Sequence, residues 1–187
     1  EEQIAGLLHD ASHTPFSHVI DWVLGDPTKE DYQDKIHEEF LKNSDLPSIL
    51  KKYDLDIKNI SNYKKFGLLE KEAPSLCADR IDYSLRQMKN KKNDKLVDKV
   101  VKNISVRENQ IVFKDKETAK SFGEEYMNLQ VKQWAGDEMR GRYYILSEIL
   151  KKAFEKNLIN LGDLKKTEKP ILKILKESED EFILDKL

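Results

Sequence analysis

Apolar residues recur every three or four positions along most of the chain, a pattern typical of amphipathic helices. The first such stretch predicts a helix from Glu1 to about Asp10. A second helix is predicted from Pro15 to Gly25, because Thr14 is a suitable N-cap before a proline and Gly25 is a suitable C-cap. Residues 11–14 are then expected to form a tight connection between two helices.

The rest of the pattern also predicts mainly helices. They are expected at residues 36–41, 46–53, 74–86, 117–157 and 170–175, with the longest broken near Gly136 and Gly141. Residues 104–106 and 111–113 predict a two-stranded hairpin. The expected fold class is therefore all-α with one small β hairpin. The apolar residues of the longest helical stretch are assigned to the core: Met127, Val131, Tyr144, Leu146, Ile149, Leu150 and Phe154.

Length and composition predict one domain, residues 1–187, with a sizeable core. Charged residues make up 36% of the chain but the net charge is only −2, which gives no argument for binding nucleic acid or an anionic membrane. The single cysteine, Cys77, favours a reducing compartment. No apolar run approaches the roughly 20 residues of a membrane span and no signal peptide is visible, so we expect a cytoplasmic protein. Because the chain opens on Glu1, inside a predicted helix, it looks truncated at its start.

The residues best suited to bind a metal ion or to transfer protons lie near the start of the chain. Three of the four histidines, His9, His13 and His18, lie within ten residues, and His37 follows. Neutral imidazoles and ionised carboxylates bind divalent cations, and histidine also exchanges protons near pH 7. With His9 and Asp10 at the end of one helix and His18 early in the next, these side chains should meet in one corner. The alternative is a chance cluster on a solvated face and, for His37 alone, a solvated helical histidine.

A second polar set lies on the helix predicted at 74–86. Asp79, Asp82, Tyr83 and Arg86 are spaced i, i+3, i+4 and i+7, which places them on one helical face. On spacing alone, an exposed ladder of charge pairs is the better explanation, and each such pair contributes only a few tenths of a kcal/mol.

Both sets resemble a known family. Residues 6–18, G-L-L-H-D-A-S-H-T-P-F-S-H, are similar to the pattern G-L-x-H-D-x-x-H-x-P-F-S-H of HD-domain phosphohydrolases, in the branch of the deoxynucleoside triphosphate triphosphohydrolases. Residues 79–83, D-R-I-D-Y, resemble the second block of that family, D-[RK]-x-D-Y. The resemblance implies an HD-domain helical bundle in which His9, Asp10 and Asp79 bind one divalent metal ion (Mg, Mn, Fe, Zn or Ni). A further His ligand is implied upstream of Glu1. Residues 1–90 would carry this site, and 91–187 the hairpin and C-terminal helices.

The resemblance also implies roles for the other polar residues. His13 and His37 are expected to act in catalysis together with Asp10, by proton transfer to the leaving group or by stabilising the transition state. Arginine and histidine side chains can hold phosphate oxygens, and a tyrosine can pack on a sugar or hydrogen-bond it. Contacts with the substrate are accordingly expected from His18, Arg80, Tyr83 and Arg86.

Two departures from the family pattern concern substrate selectivity. The family normally has an acidic residue where this chain has Gln87. A later His, Arg and Tyr set of the family corresponds, by rough register, to Trp134, Gly136 and Glu138. Trp134 can stack on a base, but a core position is the better explanation. The resemblance therefore supports the family's metal chemistry in this chain better than it supports the family's selectivity for deoxynucleotides.

The expected function is a metal-dependent phosphohydrolase acting on nucleotides, most simply a deoxynucleoside triphosphate triphosphohydrolase. The alternatives are a nucleotide phosphomonoesterase or phosphodiesterase of the same superfamily, and a non-catalytic module that binds a nucleotide or a partner protein. The expected partners are a nucleotide or phosphate-ester substrate and, as the resemblance implies, further copies of the chain. No membrane contact is expected, and binding of nucleic acid is left open.

Overall fold

The computed structural model describes residues 1–72 and 74–187, and these residues are mostly helical. The helices are α1 (Glu2–Leu8), α2 (Val19–Val23), α3 (Tyr32–Lys42), α4 (Leu46–Lys51), α5 (Ile57–Ser61), α6 (Ala78–Asn90), α7 (Asp94–Asn103), α8 (Lys116–Leu129), α9 (Asp137–Glu155), α10 (Glu168–Lys176) and α11 (Glu181–Lys186). Two strands, β1 (Ile104–Arg107) and β2 (Gln110–Phe113), pair between α7 and α8. The predicted class, all-α with a small hairpin, is confirmed. Within the described ranges, no helix combines the length and the apolar character needed to cross a membrane.

The described chain forms two compact units. The first consists of Glu1–Leu8 with Lys58–Gly136, and the second of His9–Ile57 with Asp137–Leu187. The single domain expected from length remains a prediction.

The second unit is organised around a contact between α2 and α9. Val19 and Ile20 of α2 are buried against Ile149 and Leu150 of α9, and Ile171 of α10 belongs to the same cluster. Full burial of such a side chain contributes about 1.5–3 kcal/mol. This packing fixes α2, and with it the histidine-rich segment that precedes it.

In the first unit, α6, α7 and α8 pack together and the hairpin lies against α8. β1 and β2 are antiparallel, with Arg107 opposite Gln110. The two residues between them, Glu108 and Asn109, have φ of 49° and 56°. Positive φ at both central positions is the geometry of a type I′ turn, whose twist suits a two-residue hairpin.

The helix predicted to begin at Pro15 begins four residues later, at Val19. Phe16 and Ser17 have φ of 67° and 53°, so the chain passes through the left-handed region and cannot continue as a right-handed helix. Thr14 does not cap this helix; its hydroxyl donates instead to the carbonyl of Ser17 at 3.4 Å.

The helix predicted from Pro74 likewise begins late, at Ala78. Cys77 before it is extended, with φ −140° and ψ 167°, and the Ala78 amide donates to the Leu68 carbonyl at 2.7 Å. These backbone bonds hold the preceding segment as a loop and set the first helical turn at Asp79.

The long helical stretch is interrupted as predicted near Gly136, where a π-helical turn, Gln130–Trp134, follows α8. The second predicted break, near Gly141, is wrong because α9 runs through it without interruption. Three of the predicted core residues are exposed: Met127, Val131 and Tyr144. The buried face of α8 passes through Thr118, Phe122 and Leu129 instead, whereas the core assignment holds for Ile149 and Leu150.

Candidate active site

The turn after α1 presents the first pair of predicted site residues. Because α1 ends at Leu8, His9 and Asp10 lie outside the helix, in a turn closed by a hydrogen bond from the His13 amide to the Asp10 carbonyl at 3.1 Å. Oδ1 of Asp10 is 3.4 Å from Nε2 of His9 and 3.3 Å from Nε2 of His13. The hydrogen bond with His13 holds the pKa of Asp10 below its usual value, so this carboxylate is ionised at neutral pH.

His13 and His18 face each other across the left-handed turn at Phe16 and Ser17. Their rings meet edge to face, with centroids 5.2 Å apart. Ser17 lies in the turn itself, and its Oγ is 3.2 Å from Nδ1 of His13. The same turn that delays α2 therefore brings the two histidines together and orients one of them.

Asp21 contacts the candidate site residue His18, and the sequence reasoning missed it. It is buried, its Oδ2 is 3.4 Å from Nδ1 of His18, and its Oδ1 accepts the amide hydrogen of Tyr32 at 2.9 Å. A carboxylate that bonds one ring nitrogen fixes the orientation of a histidine. The spacing of three residues between His18 and Asp21, on one helical face, was the available signal.

His37 is placed by α3 and is only 2% exposed, so it is not the solvated helical histidine of the alternative interpretation. Its Nδ1 lies 2.8 Å from Oγ of Ser12, which in turn donates to the carbonyl of Gln33 at 3.3 Å. Burial lowers the pKa of His37, while Asp34 acts in the opposite direction. Ser12 was also missed, because a serine in a loop carries no pattern that links it to a distant histidine.

Asp79 stands in the first turn of α6, where its amide donates to the Leu69 carbonyl at 3.2 Å. Among the residues that the structure describes, His9, Asp10 and Asp79 each offer one ligand atom, and these atoms all lie within 4.8 Å of one another. Ligands that share a divalent ion at about 2.0–2.6 Å have mutual distances of this size. One imidazole and two carboxylates therefore fit a divalent cation in both chemistry and spacing.

The arginines predicted to contact substrate have structural partners. Arg80 donates from Nη1 and Nη2 to the carbonyl of Lys71, at 3.3 and 3.2 Å, and it also contacts the Ser75 carbonyl. Arg86 pairs with Asp82 on the exposed side of α6, which is the charge ladder that spacing alone predicted. Their roles toward a substrate remain predictions.

Tyr83 belongs to an aromatic cluster of the first unit. Its hydroxyl is 3.4 Å from that of Tyr126, and its ring meets Trp134 edge to face at 5.0 Å. Burial raises the pKa of Tyr83, so the phenol stays protonated. Trp134 packs against the core of this unit, as the favoured interpretation of the sequence expected.

Comparisons with known proteins give two informative relatives. The uncharacterized protein YdhJ of Bacillus subtilis is 36% identical over an alignment of 190 residues, which covers 100% of this chain and 58% of that protein. The metal-dependent phosphohydrolase cns2 of Cordyceps militaris is 44% identical over 86 residues, 46% of this chain and 25% of that protein. The chain thus spans less than two thirds of the length of either relative. No family model and no solved structure matches the chain.

Proposed function

We propose that this chain is a metal-dependent phosphohydrolase of the HD superfamily. The observation that carries the proposal is the clustering of donor atoms from His9, Asp10 and Asp79 within 4.8 Å. The likeness to a protein named metal-dependent phosphohydrolase supports the same chemistry. The cytoplasmic location expected from the sequence belongs to this proposal.

His9, Asp10 and Asp79 would hold one divalent cation. When bound, such a cation polarises a phosphoryl oxygen and lowers the pKa of water. Asp10 is ionised at neutral pH and is therefore ready to bind a cation without first losing a proton.

The remaining histidines would act on the phosphate. Ser17 orients His13, and Asp21 orients His18. The two imidazoles therefore lie on either side of one turn, and their N–H groups can donate to phosphate oxygens. His37, held through Nδ1 by Ser12, is the proposed proton donor to the leaving group or its partner. The substrate contacts of Arg80, Tyr83 and Arg86 belong to the same proposal.

The substrate we propose first is a deoxynucleoside triphosphate. A phosphate monoester is the second candidate, because Arg80 is engaged with backbone carbonyls and Arg86 with Asp82, which leaves fewer cations to hold a triphosphate. The products separate the two: inorganic triphosphate from the first and orthophosphate from the second.

The test is a phosphate-release screen of the metal-loaded full-length protein over nucleoside mono-, di- and triphosphates. Asp10→Ala serves as the inactive control and Asp98→Ala, an exposed residue of α7, as the matched carboxylate control. Hydrolysis that Asp10→Ala abolishes and Asp98→Ala retains supports the proposal. Nucleotide binding without turnover in the metal-loaded protein would instead indicate the non-catalytic module.

A further inference from the structure

The second unit contains a cavity of about 240 Å³ that the proposed chemistry does not use. Ser12 and Thr14 line it, whereas His13 between them contacts Asp10. None of the three proposed metal ligands is part of its wall. The volume corresponds to roughly eight water molecules and lies just below the roughly 300–1,000 Å³ of sites for drug-sized ligands.

One wall of the cavity is a face of α3. Tyr32, Ile36, Phe40 and Asn43 are spaced by four, four and three residues, so they share one side of the helix. Leu161 and Leu164 contribute further apolar surface. Two aromatic rings among aliphatic side chains suit a flat, weakly polar ligand.

Polar groups of both signs complete the lining. Glu39 and Lys165 are exposed, and neither forms an ion pair among residues 1–72 and 74–187. The Glu39 carboxylate can only accept hydrogen bonds, the Lys165 ammonium can only donate them, and the Asn43 amide does both. A ligand that fits therefore carries N–H donors as well as ring-nitrogen or carbonyl acceptors.

We propose that this cavity binds a planar nitrogen heterocycle of nucleobase or nucleoside size. The aromatic and aliphatic residues contact its faces, and Glu39, Asn43 and Lys165 hydrogen-bond its edge. A small pocket with an apolar body and a few convergent polar groups is the usual form of such a site.

Occupancy of the cavity is coupled to His37 through Ser12. Ser12 lines the cavity, and its Oγ lies 2.8 Å from Nδ1 of His37. A ligand N–H that donates to Oγ of Ser12 competes with His37 Nδ1 for that oxygen and so changes the hydrogen bonding of His37. This regulatory step rests on the proposed function, whereas binding in the cavity does not.

Binding is tested by calorimetric titration of the full-length protein with guanosine and with inosine, which lacks the exocyclic amine. We expect guanosine to bind, and inosine to bind at least fivefold more weakly. The Glu39→Gln substitution should lower the affinity for guanosine at least tenfold. Glu38→Gln is the matched control, since Glu38 pairs with Lys42 on the same helix and does not line the cavity. Absence of binding at millimolar guanosine, or equal affinity in Glu39→Gln, overturns the proposal.

Coupling is tested by the ¹⁵N resonances of His37 and by phosphate release. Guanosine should shift the His37 Nδ1 resonance and change kcat at least threefold, and both effects should vanish in Glu39→Gln. Guanosine binding with neither effect overturns the coupling. A protein that binds guanosine and shifts His37 but hydrolyses no phosphate ester overturns the proposed function while the cavity assignment stands.

Discussion

Oγ of Ser12 lies 2.8 Å from Nδ1 of His37, and both side chains are buried. The two residues are 25 positions apart, one in the connection after α1 and the other on α3. A buried histidine whose Nδ1 is fixed presents Nε2 in one direction, which is what a proton-transfer role requires. Ser12 is thus a positioning residue in the proposed mechanism.

Ser12→Ala should lower kcat on the order of tenfold and leave KM within about twofold, because partners that orient a functional histidine typically contribute 10–100-fold. Ser48→Ala, on the exposed side of α4, is the control. Steady-state phosphate release measures both constants. An unchanged kcat in correctly folded Ser12→Ala protein would remove His37 positioning from the mechanism.

Replacing a proposed metal ligand should remove the metal without unfolding the chain. Asp10→Asn and Asp79→Asn each take one charged donor from the group, so elemental analysis after dialysis should show little bound metal. Asp82→Asn, one helical turn from Asp79, should retain it. Far-ultraviolet circular dichroism should be the same for all three variants. Full metal content in Asp79→Asn contradicts its assignment as a ligand.

Replacing Gly25 or Gly141 by alanine should change the stability of the protein in opposite directions. A Cβ on Gly25 would lie 3.0 Å from both Cα and Oδ1 of Asp21, whereas a Cβ on Gly141 would meet nothing within 4 Å. Gly25→Ala should therefore cost about 1–3 kcal/mol of stability and disturb the contact between Asp21 and His18. Gly141→Ala, inside α9, should stabilise the protein by about 0.5–1 kcal/mol. Thermal unfolding measures both; a Gly25→Ala variant as stable as Gly141→Ala would show that Asp21 can move.

The sequence predicted the helical class and the hairpin, because periodicity is visible in the residues themselves. The grouping of His9 and Asp10 with Asp79 as metal ligands was implied by the family resemblance rather than by spacing, and their role as ligands remains a prediction. It did not predict the turn at Phe16 and Ser17. Neither residue favours positive φ, so the tertiary packing of α2 decides it. Partnerships between distant residues, such as that of Ser12 with His37, were invisible for the same reason.

Arg80 and Arg86 should differ sharply when each is replaced by Ala. Arg80 donates two hydrogen bonds to the Lys71 carbonyl from a partly buried position, so its loss should cost about 1.5–3 kcal/mol. Arg86 forms an exposed pair with Asp82, which contributes about 0–1 kcal/mol. Urea unfolding gives both values, and KM for phosphate release tests the substrate role. A raised KM in Arg86→Ala with unchanged stability would support a substrate contact.

Asp115 gives the first unit an acid-sensitive helix cap. Its Oδ1 accepts the Thr118 amide at 2.7 Å and its Oδ2 accepts the Thr118 hydroxyl at 2.8 Å. These hydrogen bonds lower the pKa of Asp115 in the folded protein, and the bond from the Thr118 amide has the larger effect. Because the pKa is depressed, its stabilising contribution is complete above the unfolded value of about 3.9 and is lost as the pH falls through the folded value.

Asp115→Ala should therefore lower the melting temperature at pH 7, where the cap is fully formed. The difference in melting temperature between this variant and the unmodified protein should shrink as the pH drops below 4, because the Asp115 carboxylate of the unmodified protein is then being protonated. Asp98→Ala, at an exposed position of α7, is the control and should show no such convergence. Melting curves between pH 2.5 and 7 measure the effect, and a difference that is constant over this range would show that the charge of Asp115 is not what holds the start of α8.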